Sequence, residues 1–110
     1  MKELFERARA ACGVSQYEFI RLFNLGVSAL ASRFGDRFLT ENGKPPAAVT
    51  AKDTALPVLP EYREALLDFV RYGVTGEEQR QVEFLAKADM AYRKVWRTAE
   101  KGLKRKKGVW

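Results

Sequence analysis

The amino-acid sequence predicts an all-α fold: a five-helix domain with an N-terminal helix-turn-helix, a C-terminal helical pair and a long last helix. Three observations over the 110 residues support this prediction. Apolar side chains recur every three or four positions in most of the chain, which is the spacing of one buried helix face. Two Ser/Thr-x-x-Glu segments, at Ser15 and Thr75, have the form of a capping box that begins a helix. The one stretch without helical spacing contains Pro57 and Pro60, which argue against a central strand.

The first 40 residues contain three predicted helices. The first covers residues 4–12 and ends at Gly13, because glycine accepts the left-handed conformation of a helix C-terminus. The second begins at the Ser15 capping box and ends near Asn24, which tolerates the positive φ of a tight turn. Ser28 is a suitable N-cap for a third helix that reaches residue 38. The apolar stripes of these helices are Leu4, Phe5, Ala8, Ala11 and Cys12; Phe19, Ile20 and Phe23; and Leu30, Ala31, Phe34 and Phe38.

The remaining residues are predicted to form a linker, a helical hairpin and a basic tail. Loop-forming Asn, Gly and Pro residues open the linker, which we expect to pack along the surface. Pro60 suits the first turn of the fourth helix, and Thr75 opens the fifth and longest helix. The predicted segments are a helix-turn-helix at 1–40, a linker at 41–59, a hairpin at 60–103 and a basic tail at 104–110. The stripe of the longest helix is Phe84, Leu85, Ala88, Ala91, Tyr92, Val95, Trp96, Ala99 and Leu103.

The composition excludes most catalytic classes. The chain has no histidine and a single cysteine, Cys12, which rules out an intramolecular disulfide, a histidine general base and a zinc site of histidines and cysteines. No glycine-rich phosphate loop is present. The carboxylates of Glu61, Glu64 and Asp68 have helical spacing on a face that we expect to be exposed. We therefore expect a binding protein and not an enzyme, with no cofactor and no metal.

The charge of the chain favours a polyanionic partner. The chain has 20 Lys and Arg residues against 14 Asp and Glu residues, and the last 18 residues hold eight basic side chains and one acidic side chain. A basic end attracts nucleic acid and raises its association rate, although a solubilising tail would have the same composition. No apolar run approaches the ~20 residues of a membrane span, and no apolar signal core follows Met1. We therefore expect a cytoplasmic protein without a membrane partner.

Residues 16–34 resemble the helix-turn-helix of the phage-repressor (lambda repressor/Cro-like) family, and the resemblance extends over residues 4–38. In that family Ser-Gln-x-Glu commonly opens the first helix of the motif, as Ser15-Gln16-Tyr17-Glu18 does here. Asn24 stands at the turn position that usually holds glycine, and Leu30 stands where the recognition helix is anchored. The recognition helix of such a motif enters the major groove of DNA.

The resemblance implies a sequence-specific, repressor-like transcriptional regulator of a phage, plasmid or other mobile element. It would bind a short palindromic operator in double-stranded DNA as a homodimer. Arg33 or Arg37 would be the candidate for a bidentate guanine or phosphate contact, and the basic tail would add non-specific affinity. The candidate DNA-binding residues are Gln16, Arg21, Ser28, Ala29, Ser32, Arg33, Arg37, Lys104, Arg105, Lys106 and Lys107.

The long last helix has more apolar surface than one neighbouring helix would cover. We expect a dimerisation surface formed by Tyr92, Val95, Trp96 and Leu103, unless the last two helices instead complete one core with the first three. In such a dimer, the basic residues of the same helix (Arg93, Lys94 and Arg97) would lie near phosphates that flank the operator. Two other functions fit the sequence. One is a helical protein–protein interaction module, such as an antitoxin or a small inhibitor, with a protein partner. The other is a non-specific nucleic-acid-binding accessory protein that uses the basic C-terminus.

Overall fold

The computed structural model describes residues 1–51 and 55–107, with side chains up to residue 99. Within this part of the chain the backbone is helical or irregular and no strand is present, which confirms the predicted all-α class. The helices are α1 (Lys2–Cys12), α2 (Gln16–Phe34), α3 (Arg63–Thr75) and α4 (Glu78–Lys107), and a 3₁₀ turn at Pro60–Tyr62 precedes α3. None of these helices combines the length and the apolar character that crossing a membrane requires.

The predicted second and third helices are one continuous helix, so the prediction of five helices is wrong. Asn24, predicted to lie in a turn, is in the middle of α2, and no described residue other than glycine has a positive φ. Burial explains the continuity, because a turn would remove half of an unbroken helical face from the core. The buried residues of that face are Phe19, Leu22, Phe23, Gly26, Val27 and Leu30. Without the turn, residues 16–34 do not form the predicted helix-turn-helix.

Gly26 brings α2 close to α3. A Cβ atom at this position would lie 3.0 Å from side-chain atoms of both Leu66 and Phe69, which is tighter than ordinary van der Waals contact. Glycine in a helix interior costs about 1 kcal/mol relative to alanine. Here the missing side chain permits a close crossing of the two helices, so Gly26 acts as a packing residue.

The sequence predicts the start of α2 correctly but not its end. Gly13 ends α1 with φ 68°, and the Ser15 hydroxyl accepts a hydrogen bond from the backbone N–H of Glu18 at 3.2 Å. The helix ends at Phe34, and residues 36–42 form bends and turns instead of a further helical turn. This change of direction brings Leu39 into the core, where it is fully buried.

All four helices share one apolar core, in which α3 is the central element and packs against α1, α2 and α4. Phe5 of α1 meets Phe19 of α2 edge to face, with ring centroids 5.4 Å apart. Phe69 of α3 meets Phe84 of α4 in the same way at 5.0 Å. The last two helices therefore complete one core with the first two. This is the second of the two arrangements expected from the sequence, in which α3 and α4 do not form a separate dimerisation hairpin.

The irregular segment between α2 and α3 is tied to the helices by polar anchors. The Asn24 side-chain amide donates to the carbonyl of Val49 at 3.0 Å and accepts from its N–H at 2.9 Å. The fully buried Tyr62 donates its hydroxyl proton to the carbonyl of Phe38 at 2.9 Å. Burial raises the pKa of the Tyr62 phenol, so this group is a neutral donor at physiological pH. Asn24 thus serves as a loop anchor and not as a turn residue.

Replacing Asn24 with alanine is expected to lower the free energy of unfolding by about 1–3 kcal/mol, because both backbone groups of the buried Val49 lose their partner. Urea denaturation followed by circular dichroism measures this change. The control is Gln81→Ala, which removes an exposed amide from α4 and should stay within about 0.5 kcal/mol of the wild type. Equal stability of the two variants would contradict the anchoring role.

A buried carboxylate joins α3 to α4, and the prediction that Asp68 is exposed is wrong. Asp68 is only 2% exposed. Its Oδ1 lies 3.8 Å from Arg80 Nη1, and its Oδ2 forms an ion pair with the ammonium group of Lys87. Both cations belong to α4, which covers this side of α3. Glu64 is exposed as predicted and accepts two hydrogen bonds from Arg7 of α1, at 2.8 and 2.9 Å.

Candidate nucleic-acid interface on the last helix

Most of the residues predicted to recognise DNA bases lie on the single helix α2. Arg37 follows this helix, and its guanidinium carbon stands 5.1 Å from the centroid of the Phe38 ring. Because α2 is continuous, no separate recognition helix crosses a preceding helix to present these side chains. Among the residues predicted to recognise DNA bases, the uncharged ones are Gln16, Ser28 and Ser32, which are exposed, and Ala29, which is half-buried.

Two of the arginines predicted to contact DNA are held by carboxylates of the same chain. Arg21 donates through Nε and Nη2 to the two carboxylate oxygens of Glu18, at 2.9 Å each. Arg33 donates in the same bidentate way to Asp89 of α4, at 3.0 Å each. These hydrogen bonds hold the pKa of Glu18 and of Asp89 below the ordinary values, so both carboxylates are charged at neutral pH. Each carboxylate occupies two of the five N–H donors of its arginine and neutralises its charge, so a phosphate or a guanine would meet a guanidinium that already has a partner.

A different set of basic side chains is open to solvent on the second half of α4. Arg93, Lys94 and Arg97 are exposed, and no carboxylate of the described residues lies within ion-pair distance of them. Their spacing puts them on adjacent turns of one side of the helix. With Met90 and Thr98 they line a shallow hollow of about 400 Å³. A polyanion can approach these three cations without breaking an existing ion pair.

The α4 backbone continues beyond these cations to Lys107. From residue 93 to residue 107 the helix is about 21 Å long, which spans several phosphates of a nucleic-acid strand. The sequence of this stretch supplies further positive charge. Its basic residues after residue 97 are Lys101, Lys104, Arg105, Lys106 and Lys107, whose side chains lie outside the described residues.

The predicted dimerisation residues are largely used inside the chain. Val95 is buried, and the Tyr92 ring stacks on the Phe34 ring of α2 with centroids 4.4 Å apart. The Val95 side chain cannot reach a second copy unless the core opens, and the half-buried Tyr92 ring is held by its stacking on Phe34. Trp96 is 43% exposed, and the Leu103 side chain lies outside the described residues.

An apolar stripe that the sequence-based prediction did not include lies on the outer side of α4. Val82, Ala86 and Met90 are all exposed, and their spacing of four residues places them on one face. Val82 is 65% exposed and Met90 is 69% exposed. The helical periodicity that predicts the buried face of α4 could have revealed this second stripe, because it lies on the opposite side of the same helix. We call Val82, Ala86 and Met90 the outer stripe.

Comparisons of the chain with protein-family models, with curated proteins and with solved structures gave no match. Within the described part of the chain, no group of three or more Asp, Glu or Cys side chains could hold a metal ion. The function is therefore inferred from the exposed surfaces of α4.

Proposed function

We propose that this protein binds nucleic acid through the phosphate backbone, using the basic second half of α4. The observation that carries the proposal is the exposed set Arg93, Lys94 and Arg97, which has no carboxylate partner among the described residues. In the sequence it continues into five further basic residues at 101–107. Contacts from lysine and arginine to phosphates provide affinity that does not depend on base sequence. The function is that of an accessory protein that binds nucleic acid without sequence selectivity.

The sequence-specific regulator implied by the phage-repressor resemblance has weaker geometric support. Its proposed recognition residues before Arg37 lie on one continuous helix, and two of them, Arg21 and Arg33, are already paired with carboxylates. The exposed polar residues left on the second half of α2, Ser28 and Ser32, carry no positive charge. Operator binding stays a prediction from the sequence, and the same experiment tests both functions.

Fluorescence anisotropy with a short labelled duplex of random sequence compares two variants that each lose three positive charges. One is Arg93→Gln/Lys94→Gln/Arg97→Gln on α4. The other is Arg21→Gln/Arg33→Gln/Arg37→Gln on and beside α2. We expect the α4 variant to lose most of the affinity at about 0.1 M salt, because its cations contact phosphates. The matched variant should bind nearly as tightly as the wild type.

Two results would overturn the proposal. One is a wild-type protein that binds neither duplex DNA nor single-stranded DNA or RNA at about 0.05 M salt, where phosphate contacts are strongest. The other is a larger loss of affinity in the α2 variant than in the α4 variant. That second result would favour the regulator, and competition between DNA from around the gene and random DNA would then measure its sequence specificity.

A further inference from the structure

Trp96 is the exposed aromatic ring of the basic surface on α4. It is 43% exposed, whereas the other two aromatic side chains of this helix, Phe84 and Tyr92, are buried and half-buried. The Tyr92 ring stacks on Phe34, but no aromatic ring of the described residues stacks on Trp96. An exposed indole is an apolar surface that the flat ring of a ligand can cover.

The cations of the proposed function adjoin this ring. Arg93 lies three positions before Trp96, and Arg97 is the next residue along the helix. Side chains three positions apart are neighbours on a helix surface, with about 5–6 Å between their Cβ atoms. One nucleotide can therefore place its phosphate on Arg93 and its base on the indole. We propose that the ligand is single-stranded nucleic acid with an unpaired base stacked on Trp96, an inference that rests on the proposed function because the same cations hold the phosphates.

A single strand fits this surface better than a duplex does. Each base of a duplex is already stacked on its neighbours, so exposing one of its faces costs free energy. The bases of a single strand turn outward more easily, and any of the four can stack on an aromatic ring. Stacking of this kind agrees with binding that does not depend on base sequence.

The order of side chains around α4 gives the strand a path. At 3.6 residues per turn, Arg93 comes first after Trp96 around the helix, followed by Arg97 and then by Lys94. A strand that crosses the helix in this direction passes from the aromatic ring onto three cations without carboxylate partners among the described residues. Base stacking and phosphate contacts are therefore available to the same short segment of nucleic acid.

An anionic membrane surface also binds helices that combine tryptophan with basic residues, but the packing of α4 disfavours it. A helix in a membrane interface inserts a continuous apolar face. On this half of α4 that face lies in the core, where Ala91 and Val95 are buried. Trp96 and Met90 of the outer stripe are exposed, but six positions separate them, which places them on different sides of the helix.

Anisotropy titrations with short labelled ligands of equal length test the proposal. The ligands are an oligothymidylate, an oligouridylate, an abasic DNA strand and a duplex; the abasic strand has the phosphates of the oligothymidylate but no bases. We expect Trp96→Ala to bind the oligothymidylate, the oligouridylate or both at least about fivefold more weakly than the wild type, because it loses the stacking contact. Its affinities for the abasic strand and the duplex should equal those of the wild type. The strand that shows the loss identifies DNA or RNA as the ligand.

Two further variants control for the loss of an aromatic ring. Tyr17→Ala removes a ring that is 77% exposed on α2, where the nearby Arg21 is already hydrogen-bonded to Glu18. This variant should bind all four ligands as the wild type does. Trp96→Phe keeps an aromatic ring at the proposed site and should regain part of the single-strand affinity that Trp96→Ala loses.

The indole itself reports on stacking in proteins that keep Trp96. The wild type should bind the oligothymidylate or the oligouridylate more tightly than the abasic strand. In Trp110→Phe, Trp96 is the single tryptophan, and the single strand should quench its fluorescence while the abasic strand should not. Both measurements test the stacking whether or not Trp96→Ala folds. Stacking releases no counterions, so the salt dependence of single-strand binding should be the same with and without Trp96.

Equal affinity of the wild type for the oligothymidylate, the oligouridylate and the abasic strand would exclude the stacking and leave the phosphate contacts of the proposed function in place. Fluorescence of Trp96 that no strand quenches would also exclude it. A wild type that binds none of the four ligands would instead refute the proposed function itself. Binding to vesicles of phosphatidylserine and phosphatidylcholine that Trp96→Ala abolishes, without discrimination between the oligothymidylate and the abasic strand, would assign Trp96 to a membrane surface.

Discussion

Removing the two α4 cations that face Asp68 is expected to lower the free energy of unfolding by about 3 kcal/mol or more. In Arg80→Gln/Lys87→Gln the Asp68 carboxylate would stay buried between α3 and α4 but would have no opposite charge beside it. Breaking a buried ion pair from one side costs about 3–5 kcal/mol in proteins, because the remaining charge has lost its hydration. Urea denaturation should show a lower midpoint with an unchanged slope.

Two further variants separate the buried charge from other effects. Adding Asp68→Asn to the double variant removes the unpaired charge at nearly constant volume, and we expect it to restore about half or more of the lost stability. Glu77→Gln/Glu83→Gln removes the other carboxylate partners of Arg80 and leaves the buried pair in place. Because Glu77 and Glu83 lie near the surface, this control should cost at most about 1 kcal/mol. A triple variant no more stable than the double variant would exclude the buried charge as the cause.

The salt dependence of nucleic-acid binding should fall when Arg93, Lys94 and Arg97 are replaced by glutamine. Each phosphate contact contributes about 0.9 to the slope of log affinity against log salt for duplex DNA, through release of condensed counterions. Loss of three contacts therefore lowers the slope by about 2.7. If the two proteins bind equally at about 1 M salt, their affinities differ by two to three orders of magnitude at about 0.1 M.

Anisotropy titrations between about 0.05 and 0.5 M sodium chloride give these slopes directly. The variant Arg21→Gln/Arg33→Gln/Arg37→Gln has the same net charge, so it controls for a general electrostatic attraction. We expect its line to run parallel to that of the wild type. An equal reduction of slope in both variants would mean that net charge, and not the α4 surface, determines binding.

Short-range features of the sequence are sufficient to predict the all-α class and the positions of several helix ends. The Ser15 cap joins residues three positions apart, and Gly13 ends α1 through a hydrogen bond to Arg9. Such interactions depend only on near neighbours, so the sequence pattern contains what is needed to predict them. The apolar spacing of the long helix likewise predicts the burial of Phe84 and Val95.

The candidate site could be predicted only in part. The sequence shows where positive charge accumulates, but it does not show which cations already have a partner. Arg33 and Asp89 are 56 positions apart in the chain and form an ion pair because the end of α2 lies against α4. Arg93 and Arg97 are exposed, and no carboxylate of the described residues lies within ion-pair distance of them.

The sequence by itself determined the helical class, the start of α2 and the accumulation of positive charge at the C-terminal end. The tertiary structure decided that α2 is continuous, that Asn24 anchors Val49 from 25 positions away, and that Asp68 is buried under α4. The physical reason is the difference in size between two free energies, that of a local turn preference and that of burying apolar side chains. A local preference of asparagine for a turn is worth less than about 1 kcal/mol, whereas burying one large apolar side chain is worth about 1.5–3 kcal/mol. Several such side chains lie on the buried face of α2, so packing against α3 overrides the local signal for a turn.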